Sequence, residues 1–144
     1  MKENYFVSSV TRICTIIALI LDGISVLTLI LFTAYIDNFL EFIVKFDSTN
    51  IYQILELENM IKSILIFGMI FSIIFFIINL IFFIKLINKK VSLKAAKGIT
   101  IYQIVYGVIT LGGNTISAIL YLISGLNSHS NLTPAIKNQN NEEY

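Results

Sequence analysis

At 144 residues, 56% of them hydrophobic and 13% charged, the chain carries too little charge to cover the surface of a soluble domain of its size. A net charge of +1 excludes a bulk field that would collect nucleic acid, and a single cysteine, Cys14, excludes an intramolecular disulfide or a multi-cysteine metal site. The apolar residues lie in long blocks, which predicts an all-α integral membrane helical bundle with three spans and a helical extracytoplasmic segment.

Residues 1–12 form a short N-terminus carrying Lys2 and Arg12 against Glu3. The single membrane domain follows over 13–126. Its first span, 13–36, runs from Arg12 to Asp37. It exceeds the apolar core of a signal peptide, about 7–15 residues, and Phe32-Thr33-Ala34 is a poor cleavage site, so it reads as an uncleaved anchor. Val10-Thr11-Arg12-Ile13 does not form a lipoprotein box before Cys14. That thiol is expected to be buried, with acylation as the alternative. Asp22 places one carboxylate in the middle of this span.

The outer segment, 37–62, mixes charged and apolar residues. Asn38, Glu41, Lys45 and Ser48 share a helical face, Ser48-Thr49-Asn50 suits a turn, and Glu58 and Lys62 stand at i,i+4. Two arrangements fit: extension of both neighbouring spans as a helical hairpin, or short amphipathic pieces lying on the outer leaflet.

The second span, 63–84, lies between Lys62 and Lys85 and is nearly pure Ile, Phe and Leu. The inner loop 85–98 then carries Lys85, Lys89, Lys90, Lys94 and Lys97 with no acidic residue, whereas 37–62 carries Asp37, Glu41, Asp47, Glu56 and Glu58 against Lys45 and Lys62. That asymmetry predicts a multi-pass plasma-membrane protein with its N-terminus and basic loop cytoplasmic. The five lysines also suit contact with anionic lipid of the bilayer.

The third apolar stretch, 99–126, is longer than one span requires and contains Gly112-Gly113-Asn114. Thr100, Gln103, Gly107, Thr110, Asn114, Ser117, Tyr121 and Ser124 recur at alternating spacings of three and four. This seam of small and polar residues would lie on one face of a long, Gly-kinked helix packed on a neighbour. The alternative is a break at the glycines into two arms, each too short to cross, forming a re-entrant hairpin shielded by protein. Gly68-xxx-Ser72 and Gly113-xxx-Ser117 are further small-residue pairs. Residues 127–144, rich in Asn and Ser, read as a disordered polar tail.

An ionised carboxylate at the centre of a span costs roughly 2.5–3.5 kcal/mol on insertion scales, and no Lys or Arg lies at its depth. Asp22 is about 15 Å in from Arg12 at the helical rise. Counting inward from Lys97 and Lys85 brings Gln103, Tyr106 and Asn79 nearest to it, and leaves Asn114 about 10 Å too far outward. Asp22 is therefore expected to be a protonated donor joining the first span to the polar seam. An ion site and a contact to another subunit are the alternatives.

No other chemistry accumulates. His129 stands alone, Asn131-Leu132-Thr133 is a glycosylation sequon relevant only to a eukaryotic secretory route, and no Ser-His-Asp set, HExxH, P-loop or GxGxxG is present. No enzyme activity, cofactor or metal is expected. The layout "KLINKKVSLKAAKG", then "GVITLGG" and "AILYLISGL", resembles small uncharacterised multi-span membrane proteins of low-G+C bacteria, and the resemblance implies membrane localisation. Two function classes follow. One is a non-catalytic accessory, regulatory or immunity subunit working through helix–helix contacts with a membrane-protein partner. The other is a self-associating channel or carrier that uses Asp22. The direction in which the seam points separates them.

Overall fold

The computed structural model describes residues 4–46, 51–88 and 90–142. Four helices occur among them: α1 (Ser9–Phe46), α2 (Ile51–Ile87), α3 (Leu93–Thr110) and α4 (Thr115–Glu142). Two three-residue strands, β1 (Asn4–Phe6) and β2 (Lys90–Ser92), pair antiparallel, with Asn4 opposite Ser92 and Phe6 opposite Lys90. Two helical stretches, Ser9–Phe42 and Leu57–Ile87, are long and apolar enough to cross a membrane.

The chain divides into two compact units, Gly23–Ile77 and Met1–Asp22 with Ile78–Tyr144. Within Gly23–Ile77, α1 and α2 run antiparallel. Gly23 faces Phe76, and Lys62 Nζ lies 2.7 Å from Asp37 and 2.6 Å from Glu58. Both helices thus continue through the segment expected outside the membrane, which favours the hairpin extension over separate amphipathic pieces. The expected turn at 48–50 lies outside the described residues. Gly68 has no atom within 4 Å of a Cβ built on it, so the Gly68–Ser72 pair forms no close helix contact here.

In the other unit, α3 and α4 fold back on each other. The break falls at Gly112-Gly113-Asn114, where the N–H groups of Gly113 and Asn114 both bond to the Thr110 carbonyl, at 3.0 and 3.1 Å. One kinked helix over 99–126 is therefore replaced by a hairpin. The uninterrupted three-four spacing argued for a single helix, but it has another origin: each arm independently turns its small and polar face inward. Close approach of the arms depends on glycine. A Cβ on Gly125 would stand 2.6 Å from Ile104 Cγ1, and one on Gly107 would stand 2.9 Å from Leu122 Cγ.

The strand pair and the first turns of α1 pack at the open end of this hairpin. The core there gathers Tyr5, Val7, Leu19, Phe83, Leu86, Val91, Ile99, Tyr121 and Leu132. The stretch expected as a disordered tail is helical as far as Glu142, and its first part is held by Ser128 and Leu132, which are buried.

Candidate functional site

Nine polar side chains are buried among the described residues, and all belong to the unit that contains the α3–α4 hairpin: Thr11, Thr15, Asp22, Asn79, Thr100, Gln103, Ser117, Ser124 and Ser128. Its surface is the reverse, with Ile101, Val105, Val108, Ile109, Ile116, Ile119, Ile123 and Leu126 exposed on α3 and α4. Buried polar groups thus lie beside the apolar core, while large apolar side chains stand on the outside.

The seam meets α1 along its length. Ser8, Thr11, Thr15, Ala18 and Asp22 follow the same alternation of three and four, so they form the complementary stripe. At the open end, Asn127 Nδ2 donates to Ser8 Oγ at 2.6 Å and to Thr11 Oγ1 at 3.0 Å. Thr100 and Ser128 share a 2.8 Å bond between the two arms. Tyr5 donates to the Ser128 carbonyl at 3.5 Å, and burial pushes its phenol above the usual range, keeping it a neutral donor.

One level deeper lies a closed ring. Gln103 Nε2 donates to Thr15 Oγ1 at 2.9 Å, Thr15 and Ser124 hydroxyls are 2.8 Å apart, and Ser124 Oγ reaches Gln103 Oε1 at 3.1 Å. If Thr15 donates to Ser124, every donor in the ring meets an acceptor around one cycle, the arrangement in which hydrogen bonds polarise one another.

The deepest level is Asp22, only 8% exposed. Asn114 Nδ2 donates to Oδ1 at 3.1 Å, Ser117 Oγ to Oδ1 at 2.5 Å, and Tyr121 to Oδ2 at 2.7 Å. Ser117 Oγ also lies 3.2 Å from the Ala18 carbonyl. The cluster therefore has a complete hydrogen-bond scheme in both states of the acid. With a carboxylate, Ser117 donates to Asp22. With a carboxylic acid, Asp22 donates to Ser117, whose hydroxyl in turn donates a hydrogen bond to the Ala18 carbonyl. Asn114 immediately precedes α4 and Ser117 lies in its first turn, the end of a helix whose N–H groups favour negative charge.

Asn79 and Gln103, expected beside Asp22, bond to Tyr102 and to Thr15 and Ser124, whereas Tyr106 stands near enough to Asp22 for a charge interaction. Depth was counted from Lys97 on one helix and Arg12 on the other, yet Gln103 is level with Thr15. The two charges are thus offset by about one turn, or about 4–5 Å. Asp22 is then level with Thr110, where α3 ends, and the turn that stops the advance there brings Asn114, Ser117 and Tyr121 to it. Asn79 is fully buried, with Oδ1 accepting from Tyr102 at 2.8 Å and Nδ2 lacking a partner among the described residues. Tyr106 packs edge-on to Tyr121 at 5.4 Å between centroids and stacks on Tyr102 at 6.0 Å. Thr110 bonds within its own helix to the Tyr106 carbonyl, and Gly107 lies in the contact between the arms.

Lys85, Lys94 and Lys97 are exposed. Lys90 lies in β2, with its side chain outside the described set, and Lys89 lies outside the described residues. Thr11, Thr15, Asn127 and Ser128 were not among the expected site residues. The first two carried a readable signal in the spacing on α1. The last two continue the α4 stripe beyond Ser124.

No group of His, Cys, Asp and Glu among the described residues could hold a metal ion. Comparison of the chain with protein-family models, with curated proteins and with solved structures finds no match.

Proposed function

We propose that this is a non-catalytic plasma-membrane protein that works through helix–helix contacts, as an accessory, regulatory or immunity subunit of another membrane protein. The observation that carries this reading is the direction of the seam. The groups a conducting path would need, Asp22 above all, are consumed by bonds to Asn114, Ser117 and Tyr121 inside one chain. A channel built on the seam would require those bonds to open.

Membrane insertion is supported by the inverted polarity and by the exposure of the long helices. Only 22% and 6% of their most apolar windows are buried within the chain, whereas the core helix of a soluble protein is mostly buried. In this reading α1 and α2 cross the bilayer and the α3–α4 hairpin enters it partway. The N-terminus, the basic loop and the middle of α4 meet at one end, through the β1–β2 pair and the bonds from Tyr5 to Ser128 and from Asn127 to Ser8. All three then share the cytoplasmic side that the lysines mark.

The test pairs two measurements on the tagged chain. Detergent pull-down at native expression should recover one membrane protein in stoichiometric amount, and the purified chain in liposomes should pass no ions. Ion flux that disappears in Asp22→Asn would overturn the reading in favour of a channel or carrier.

A further inference from the structure

Among the buried polar groups of the described residues, Asn79 alone comes from α2. It lies in the part of that helix, 78–87, that belongs to the same unit as Asp22 and the hairpin. An amide has two ends, and only one of these is bonded. Oδ1 accepts from Tyr102 at 2.8 Å, while Nδ2 makes no full hydrogen bond among the described residues. A buried donor left unpaired is costly, so an acceptor should stand beside it. Tyr106 is placed for that role. It follows Tyr102 by one helical turn on α3, the two rings stack at 6.0 Å with planes 26° apart, and its hydroxyl is near enough to the Asn79 amide to interact. On its other side Tyr106 meets Tyr121 edge-on at 5.4 Å, and the Tyr121 hydroxyl bonds Asp22 at 2.7 Å. Tyr106 also feels the charge of Asp22, a charge with no direct effect on Tyr102.

We propose that Tyr106 and Asn79 form a relay that carries the charge state of Asp22 to α2. With Asp22 ionised, the Tyr106 hydroxyl turns its hydrogen toward the carboxylate. Its oxygen lone pairs then face Asn79, Nδ2 donates to them, and Oδ1 receives Tyr102. Each bond in such a chain polarises the next. With Asp22 neutral, the field that orients Tyr106 is gone, and the bonds at both ends of the amide weaken together. Those bonds join α2 to α3 beside Phe82 and Phe83, whose rings pack on Tyr102 at 5.4 and 5.8 Å. The proton on Asp22 thus sets how firmly the two helices hold each other. The titratable side chains facing Asp22 are Tyr121 from α4 and Tyr106 from α3, and α2 contributes the neutral Asn79. By linkage, anything that alters the packing of 78–87 on α3 alters the proton affinity of Asp22 in return. The relay goes beyond the accessory reading and depends on neither the partner nor the bilayer.

The experiment uses the full chain in detergent micelles with its tyrosines labelled at Cζ, the carbon that bears the hydroxyl, and followed by NMR. Asp22→Asn should shift the signals of both Tyr106 and Tyr102, although Tyr102 makes no bond to Asp22. In a Tyr106→Phe background, which keeps the ring and removes the hydroxyl, Asp22→Asn should leave Tyr102 where it was. A Tyr102 signal that ignores Asp22→Asn overturns the proposal. So does a Tyr102 shift of the same size with Tyr106→Phe, because the charge would then act without the relay. A pH titration of the unaltered chain gives the same reading should Asp22→Asn fail to fold. The Asp22 carboxyl carbon and Tyr102 Cζ are expected to share one midpoint, and separate midpoints would overturn the relay.

Discussion

Asp22 receives three hydrogen bonds from three residues of one short region, and that arrangement decides how it responds to substitution. Asn keeps one acceptor, and its amide can donate to the Ser117 or Tyr121 oxygen. Asp22→Asn should therefore cost about 1 kcal/mol. Asp22→Leu removes the acceptor shared by Asn114, Ser117 and Tyr121, of which Ser117 can still donate to the Ala18 carbonyl, and at about 1–3 kcal/mol for a group left unsatisfied it should be clearly worse. Thermal unfolding in detergent separates the two. Glycine gives a second contrast. Gly125→Ala forces a methyl to within 2.6 Å of Ile104 Cγ1, an overpacking that costs about 1–3 kcal/mol, while Gly68→Ala should be neutral because that position is open. Equal melting temperatures for the two variants would contradict the close contact of the hairpin arms. At this scale the sequence was informative about which residues are polar where they should not be, since an intramembrane acid has few tolerable settings. It was less informative about partners. Matching Asp22 to Asn114 required knowing that Thr15 and Gln103 are level, and no charge count contains that offset.

At the scale of elements, the α3–α4 hairpin and the length of α4 both follow from packing more than from propensity. Asn and Ser disfavour helix interiors, and Pro134 lies within the helix, yet α4 continues because Ser128 bonds to Thr100 and Leu132 joins the core. Ending the chain after Leu126 removes Asn127, Ser128 and Leu132 at once. At about 0.5–1.5 kcal/mol for each lost hydrogen bond, plus the buried leucine, the truncated chain should unfold at clearly lower temperature. Unchanged melting would show that this part of α4 contributes nothing. The glycine pair signalled the break and the periodic stripe argued against it. Only the packing of both arms on α1 reconciles the two. The β1–β2 pair left no trace in the sequence, because three-residue strands are too short for alternation to register.

For the whole molecule, the two long apolar helices were legible from composition and blocking alone, because their apolar residues run on without the polar face that a surface helix of a soluble domain carries. What composition could not supply was the path of the last third of the chain. A continuous third span would put the C-terminus opposite the N-terminus, whereas the hairpin returns α4 to Ser8 and Tyr5. Cysteines placed in the N-terminal residues and near Glu142 should therefore react with an impermeant thiol reagent from the same side of sealed vesicles. A cysteine in 47–50 should react from the other. Labelling of the two termini from opposite sides would contradict the hairpin as a membrane element.

The pairing of Thr11 and Thr15 with Ser124, and of Asp22 with Ser117, joins residues 95–113 positions apart. Synthesis runs in one direction, so in the membrane reading proposed above α1 enters the bilayer long before its partners exist. Until the ribosome has made α4, the acid has no internal donor and the α1 stripe faces whatever surrounds it. The first helix must then wait, at a cost of roughly 2.5–3.5 kcal/mol if charged, beside the insertion machinery or as a neutral acid. Assembly is completed by the last residues to emerge, and any chain stopped before Asn114 carries an exposed intramembrane acid by which a membrane protease could recognise it as unfinished.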